Sequence, residues 1–558
     1  MTPTRRRIAI ALGLSLLATW LLLVPGSGDG PDRHTGEGCL LCHDIAVEGP
    51  PPGLHAAIPC EACHLGDPEG TDVMSAHDGM ELEAGALDIV HQTCGLCHER
   101  EVARVRSAPM ATARGLIAVD RWAFGETAGP DGLETMTDLL AGEDPTPAQD
   151  HLRRLCSGCH LNTRRDNRDD AIHPSEGSGC SACHTVPKTG AAHSDISGEV
   201  SDDRCFGCHS RSARISLTYQ GLAEVSGAGA DVCRDTERLQ DGRTVCLTEA
   251  DVHHEAGMAC IDCHLHTEIM GDGNAYLHEE DAVEISCATC HGPTPEQAET
   301  TWRQVQDSIV STLLGVNLQW RDGQERVRRG RLGTPLWNVR PPREPVEPWL
   351  DGTWVLRSKA TGRPMPVKPT PRDLRHTLFG HERLSCASCH SAMAPTCPTC
   401  HTSFDAADEQ WDFAVAGVRP GRWMETDKGV GFGAPGLAIG PDGRIRPAVP
   451  GMDATLDARA AGGGLREVHL FSVLDPHSTT LKGRACAECH LDEGIFLDGV
   501  GTRNGARALT AAERATVARV GPCLECHEGE EGWYDSFALV MTGLDARHPE
   551  EFEERARR

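Results

Sequence analysis

A segment beginning near residue 294 alternates apolar and polar residues with the period of a helix. From Trp302 to Leu313 an apolar residue recurs at every third or fourth position. Residues 294–297 precede this stripe with a capping box and a proline in the first helical position. The pattern predicts a helix that packs on a core.

A second helical signal covers residues 511–520. Thr510 and Glu513 form a capping box at its start, and Gly521 stands where the helix should end. These residues predict both boundaries of the helix.

Two segments near the C-terminal side carry turn residues between apolar runs. Thr353 to Val367 surrounds a Thr-Gly turn, and Leu437 to Val449 surrounds a Pro-Asp-Gly turn. Each predicts a small β-hairpin. Elsewhere we expect short helices and loops, so the predicted fold class is mainly α and irregular, with small β-hairpin elements in the C-terminal half.

The N-terminus has the pattern of an export segment. Arg5, Arg6 and Arg7 precede an apolar run from Ile8 to Val24. A run of seventeen residues is long for a cleaved signal and short for a spanning helix, and Gly26 to Gly28 offer no clean cleavage site. Residues 1–30 are therefore predicted to be either a signal peptide or an N-terminal membrane anchor, with the rest of the chain outside the cytoplasm.

Composition changes the picture in two ways. Only 4% of the 558 residues are aromatic, so large apolar side chains are too few for an ordinary core, and another material is expected to fill the interior. The net charge is −29, which argues against a nucleic-acid partner because binding phosphate requires basic patches.

Twenty-four of the 26 cysteines belong to one motif, C-x-x-C-H, which occurs twelve times. The copies are Cys39-Cys42-His43, Cys60-Cys63-His64, Cys94-Cys97-His98, Cys156-Cys159-His160, Cys180-Cys183-His184, Cys205-Cys208-His209, Cys260-Cys263-His264, Cys287-Cys290-His291, Cys386-Cys389-His390, Cys397-Cys400-His401, Cys486-Cys489-His490 and Cys523-Cys526-His527. Two thiols at this spacing can add to the two vinyl groups of one haem, and the adjacent histidine can bind its iron. Zinc or disulfide sites are the alternative, although neither requires histidine in the next position every time.

On these motifs the chain resembles the multihaem c-type cytochromes, over residues 39 to 527. The resemblance implies twelve covalent haem c groups and a fold organised by them, which would also replace the missing aromatic core. It further implies electron exchange with other redox proteins on the periplasmic or extracellular side of a bacterial envelope, with or without a tether to the inner membrane. Oligomeric state is left open.

Sixteen histidines lie outside the motifs, and electron-transfer haems in this family usually have two histidine ligands. His34, His55, His151 and His381 each lie five residues before the first cysteine of a motif, a distance that spans at most about 18 Å. Of the adjacent pair His253 and His254 we favour one ligand, His254. The predicted second ligands are His34, His55, His77, His91, His151, His173, His193, His254, His278, His376, His381 and His477; the remaining histidines are His253, His266, His469 and His548.

Cys233 and Cys246 remain outside the motifs, with Asp241-Gly242 as a turn between them. In an oxidising compartment a disulfide is expected, and two free thiols or a redox-active pair are the alternatives.

The density of motifs divides the chain. Residues 31–291 hold eight motifs and are predicted to form an octahaem module, the N-terminal part. The C-terminal part consists of a haem-free insert of helix and β elements at 292–380 and a tetrahaem module at 381–558. Each part has enough spare histidines to supply its own haems.

Two functions from different classes compete. The first is an electron relay, in which twelve haems in close packing pass electrons, with no catalytic residue. The second is an oxidoreductase in which one haem keeps an open position for a small nitrogen or sulfur compound. Nitrite reductases of this family carry a C-x-x-C-K motif, which is absent here, and hydroxylamine oxidoreductases use a tyrosine, of which the chain has only three. The sequence therefore favours the relay.

Overall fold

The structure is a computed structural model. It describes Cys39, His55 and residues 58–164, 178–186, 194–211, 214–227, 233–292, 299–302, 324–340, 354–371, 376, 380–396, 399–427, 429–449, 453–521 and 524. The predicted export segment, residues 1–30, lies outside the described residues.

Most helices are one or two turns long. They are α1 Cys60–His64, α2 Val73–Ala76, α3 Glu99–Val105, α4 Pro109–Thr112, α5 Arg114–Ala123, α6 Met136–Ala141, α7 Pro147–His151, α8 Ser181–His184, α9 Asp202–His209, α10 Ile215–Tyr219, α11 Val252–Glu255, α12 Cys260–Cys263, α13 His266–Ile269, α14 Glu279–Ala282, α15 Cys287–His291, α16 Cys386–His390, α17 Cys486–His490 and α18 Ala511–Ala518.

Seven motifs coincide with one of these helices, namely α1, α8, α9, α12, α15, α16 and α17. The two cysteines of a motif are three residues apart, so one helical turn brings both thiols to the same face. Local capping favours the turn: in α16 the Ser385 side chain accepts a hydrogen bond from the Ser388 backbone N–H. The chain thus presents many separate thiol pairs on short, independent helices.

The strands are β1 Thr185–Val186, β2 Asp195–Ile196, β3 Leu222–Glu224, β4 Thr236–Arg238, β5 Thr244–Leu247, β6 Glu299–Trp302, β7 Gln324–Arg329, β8 Pro335–Leu336, β9 Val339–Arg340, β10 Val355–Arg357, β11 Pro364–Pro366, β12 Ala394–Thr396, β13 Thr399–Asp412, β14 Gly417–Asp427, β15 Gly431–Gly433, β16 Gly436–Ile439, β17 Ile445–Val449, β18 Asp453–Asp457, β19 Leu465–Val473 and β20 Val500–Gly501.

In the N-terminal part, a small antiparallel sheet has the order β3-β5-β4. Cys233 and Cys246 are joined there by a disulfide, with their Cα atoms 5.7 Å apart. The predicted disulfide is confirmed.

The C-terminal part contains a seven-stranded sheet of order β14-β13-β18-β19-β17-β16, with β20 paired to β19. Its longest hairpin, β13 and β14, has strands of 14 and 11 residues. The chain is therefore mixed in helix and strand content, and this sheet is much larger than the small hairpins that we expected. The sequence of β13 is rich in acidic and small residues and lacks the β-branched alternation that predicts a strand.

The remaining element predictions have mixed outcomes. The hairpin around Gly362 is confirmed as β10 and β11, and the one around Gly443 as β16 and β17. In α18 the Thr510 side chain accepts from the Glu513 N–H, which confirms the capping box. The helix through Trp302 is wrong at residues 299–302, which pair with β7 as the antiparallel strand β6. The rest of that predicted helix lies outside the described residues.

Apolar clusters are small and several of them join the two parts of the chain. One cluster combines Phe124 and Ala148 with Trp423, Leu456 and Leu470 of the sheet. The Trp423 indole N–H donates to Asp150 at 2.8 Å. The two parts therefore share a core.

Candidate functional site

One continuous cavity of about 4480 Å³ runs through the described part of the chain. Typical ligand pockets measure about 300–1,000 Å³, so this cavity is several times larger. Nine of the twelve motifs line it, through Cys63, Cys94, Cys97, His98, Cys156, His160, Cys180, Cys183, His184, Cys205, Cys208, His209, Cys260, Cys263, His264, Cys287, Cys290, His291, Cys386, Cys389, His390, Cys486, Cys489 and His490.

The same cavity is lined by eight histidines from outside the motifs. These are His55, His151, His253, His266, His278, His376, His381 and His477. Of the predicted site residues, Cys42, His43, His34, His173, His193, Cys397, Cys523, Cys526 and His527 lie outside the described residues. His77 and His91 are exposed, and His401 is exposed on β13.

Motif histidines direct one ring nitrogen toward a fixed acceptor. In five of them Nδ1 donates to a backbone carbonyl: His64 to Glu81 at 2.9 Å, His184 to Ser197 at 2.8 Å, His291 to Lys368 at 2.5 Å, His390 to Thr480 at 3.0 Å and His490 to Val517 at 2.6 Å. A proton held on Nδ1 leaves the lone pair on Nε2. Metal-binding histidines almost always have such a partner on the nitrogen that does not bind the metal.

Five motif histidines face a histidine from outside the motifs. The distances between ring centroids are 6.4 Å for His98 and His55, 5.9 Å for His291 and His253, 6.1 Å for His264 and His477, 6.2 Å for His390 and His376, and 6.0 Å for His490 and His381.

This spacing fits one metal between two imidazoles. A metal–imidazole bond is about 2.0–2.1 Å long and the ring centroid lies about 1.1 Å behind the nitrogen, so two opposed ligands have centroids about 6.3 Å apart. The ring planes are inclined by 8° to 80°, and rotation of an imidazole about its bond to a metal leaves this angle free. The five pairs therefore have the centroid spacing that two imidazoles on one iron would require.

In four of these pairs the spare histidine faces a motif other than the one that follows it in sequence. His55 precedes Cys60 but faces His98, and His381 precedes Cys386 but faces His490. Only a few residues separate each of these spare histidines from the motif that follows it. A spare histidine that faces a different motif therefore holds two motifs close together in space.

Burial lowers the pKa of three imidazoles in this region, which favours their neutral form. It lowers the pKa of His55, and the charge of His98 adds to the effect. It also lowers the pKa of His291 and of His209, which lies near His264 and His477. The neutral imidazole is the form that binds a metal.

The adjacent histidines 253 and 254 differ in their surroundings. His253 faces His291 and donates Nδ1–H to Asp251 at 2.8 Å. His254 instead packs against the Tyr219 ring, with centroids 5.2 Å apart. The structure therefore favours His253 over His254 as the candidate ligand. Spacing in the sequence could not distinguish these two adjacent histidines.

His151 is surrounded by carboxylates and aromatic rings. Its Nδ1 lies 3.2 Å from Asp120 and its Nε2 lies 3.5 Å from Glu425, while Phe124 and Trp423 pack on the ring. Burial would lower the pKa of His151, but Asp120 and Glu425 outweigh it and raise the pKa to about 10. These contacts suit a structural imidazolium better than a metal ligand.

Two further histidines from outside the motifs also contact carboxylates. His278 Nε2 lies 3.2 Å from Asp131, and His469 Nδ1 lies 2.5 Å from Asp453. His278 was a predicted ligand, whereas His469 was not.

Thiols of different motifs approach one another. Side-chain contacts join Cys39 to Cys60, Cys94 to Cys180, Cys205 to Cys260, and Cys287 to Cys386. None of the described motif cysteines forms a disulfide. The motifs thus form a series of close neighbours, one step of which joins the N-terminal and C-terminal parts.

Buried cationic atoms in the cavity wall would suit an anionic group. Arg114 Nε, Arg211 Nε, and Arg484 Nε and Nη1 are buried there without a hydrogen-bond partner among the described residues. Haem carries two propionate carboxylates, the groups that guanidinium binds best. The thiol pairs, imidazole pairs and guanidinium groups together fit haem c.

The described residues contain no cluster of three or more His, Cys, Asp and Glu side chains suited to holding a metal ion. Among the helices of the same residues, none is long and apolar enough to cross a membrane. No protein-family model, curated protein or solved structure matches the chain.

Proposed function

We propose that the chain is an exported electron-transfer cytochrome that binds twelve haem c groups, most of them between two histidines. The observation that carries this proposal is the set of five imidazole pairs at the spacing of opposed ligands. Haem c supplies an iron that accepts and releases one electron while both axial positions stay filled.

The residues of the chain have three roles in this proposal. Motif cysteines attach the cofactor, and their short helices present both thiols on one face. Backbone carbonyls hold the motif histidines in one orientation through Nδ1. Spare histidines tie neighbouring motifs together, which keeps successive cofactors close.

Location and partners follow from charge and disulfide chemistry. The disulfide between Cys233 and Cys246 suits an oxidising compartment outside the cytoplasm. The net charge of −29 favours redox partners with a basic surface. We therefore place the protein on the periplasmic or extracellular side of a bacterial envelope, between an electron donor and an acceptor.

Intact mass spectrometry of the exported protein tests the cofactor content. We expect twelve haem additions in the natural sequence and in a Cys233→Ser, Cys246→Ser control. A Cys386→Ser, Cys389→Ser variant should lose one haem. A natural protein without covalent haem, or with zinc in its place, would overturn the proposal.

Electron paramagnetic resonance of the oxidised protein separates the relay from an enzyme. Filled axial positions predict low-spin signals and no binding of carbon monoxide to the reduced protein. A stoichiometric high-spin signal, together with tight carbon monoxide binding, would instead indicate an oxidoreductase with one open site.

A further inference from the structure

The motif histidine His264 differs from the five that donate to backbone carbonyls. Its Nδ1 lies 3.0 Å from Oε2 of Glu268, four residues further along the chain. The Glu268 side chain is only 4% exposed. A buried carboxylate therefore replaces the neutral carbonyl as the partner of this imidazole.

The surroundings hold Glu268 in its ionised form. Oε2 also accepts from the Leu265 N–H at 3.0 Å, and Oε1 accepts from the N–H groups of Glu284 and Ile285, the latter at 2.9 Å. A carboxylate that accepts several N–H bonds is stabilised as the anion. One cation is near: Lys359 Nζ donates to the His264 carbonyl at 3.0 Å.

On its other side, His264 faces His477 of the C-terminal part at 6.1 Å, with ring planes inclined by 19°. The haem expected here would thus be attached in the N-terminal part and ligated from the C-terminal part. His209, another motif histidine, lies near both rings.

A carboxylate partner changes the electronic character of a metal-bound imidazole. It draws the Nδ1 proton toward itself, which makes the ring a stronger donor. Its negative charge also stabilises ferric iron relative to ferrous iron. Hydrogen bonding to an axial ligand is one of the means by which a protein sets the potential of a haem.

We propose that Glu268 is a positioning residue that gives the haem of the Cys260–His264 motif a lower reduction potential than haems neither of whose axial histidines contacts a carboxylate. This inference rests on the proposed function. It places a low-potential relay site where the two parts of the chain meet.

The test is a redox titration of Glu268→Gln, followed by optical and low-temperature magnetic spectra. We expect one low-potential component to shift upward by at least tenfold in its reduction equilibrium constant, which is 59 mV for one electron. Glu268→Asp, which keeps the charge, should shift it less.

Glu284→Gln is the matched control. Glu284 is also a buried carboxylate, and it accepts from Thr267 Oγ1 at 2.9 Å and from the Thr334 N–H at 3.0 Å rather than from a motif histidine. Its substitution should shift that component much less than Glu268→Gln does, because the Glu284 side chain contacts neither imidazole of the pair. An equal shift in both glutamine variants, or none in Glu268→Gln, would overturn the inference.

A second variant keeps the test decisive if Glu268→Gln does not mature. His477→Gly removes the opposite ligand from the same iron, so the component that it alters belongs to this haem. Alteration of a component that is not among the low-potential ones would refute the inference. Twelve haems with unchanged potentials would remove only this inference, whereas absence of haem from the natural protein would remove the proposed function.

Discussion

Replacing His477 with glycine tests the imidazole pairs most directly. His477 has φ of 52°, in the left-handed region that residues other than glycine rarely adopt. Hydrogen bonds on both sides fix this turn: Thr218 Oγ1 donates to the Pro476 carbonyl, and the Thr479 N–H donates to Asp251 at 2.6 Å. In this backbone conformation the His477 ring faces His264.

The expected effects differ for glycine and alanine. Both remove the ligand, so one haem in twelve, about 8% of the total, should change from low-spin to high-spin. Alanine retains the left-handed strain and glycine does not, so we expect His477→Gly to be more stable than His477→Ala by about 1 kcal/mol.

Quantitative electron paramagnetic resonance measures the high-spin fraction, and added imidazole should restore the low-spin signal in His477→Gly. His469→Ala is the control, because His469 is exposed on the preceding strand, β19, and contacts Asp453 rather than a motif histidine. A His477→Gly protein that carries twelve haems and remains fully low-spin would refute the pairing. A high-spin haem in His469→Ala would show that the pairs were assigned wrongly.

Three further predictions concern stability. Because the pKa of His151 is raised, its ion pairs stabilise the fold fully below pH 6.5, and this stabilisation is lost as pH rises through about 10. The difference in melting temperature between the natural protein and His151→Gln should therefore shrink over this pH range, while the haem spectra stay unchanged. Cys233→Ser should lower the free energy of unfolding by about 3 kcal/mol, measured with denaturant at full haem content. Residues 292–558 expressed alone, with an export signal, should incorporate haem incompletely, because Trp423 loses its contacts with the N-terminal part and His477 loses His264. A soluble, fully low-spin tetrahaem fragment would contradict this prediction.

Local signals in the sequence predicted local structure well. The disulfide, the hairpins around Gly362 and Gly443 and the capping box at Thr510 depend on nearby residues, and all four are present. The helical stripe starting at Trp302 failed where pairing with a distant segment, β7, competes with helix formation. Long-range strand pairing also explains β13, whose polar sequence gives little local indication of a strand.

Spacing identified ligand candidates but not their partners. His55, His151 and His381 lie at the same distance before a motif, yet two of them face motif histidines and His151 contacts Asp120 and Glu425 instead. Those carboxylates come from residues far away in the sequence. The Glu268 contact was accessible in principle, because Glu268 lies only four residues after His264 in the sequence.

The crossed pairing of histidines is a reason to expect that the two parts of the chain do not mature independently. A spare histidine and the motif that follows it belong to one short segment. Such a segment would bind the iron of one haem and carry the thiols for another, so it would fix two cofactors with few residues. His477 extends this arrangement across the boundary near residue 291, where Cys287 also approaches Cys386. In a chain with few aromatic residues, most of the apolar contact would come from the cofactors. Folding and cofactor attachment should therefore be coupled across the whole protein, and loss of one motif should weaken its neighbours in space before its neighbours in sequence.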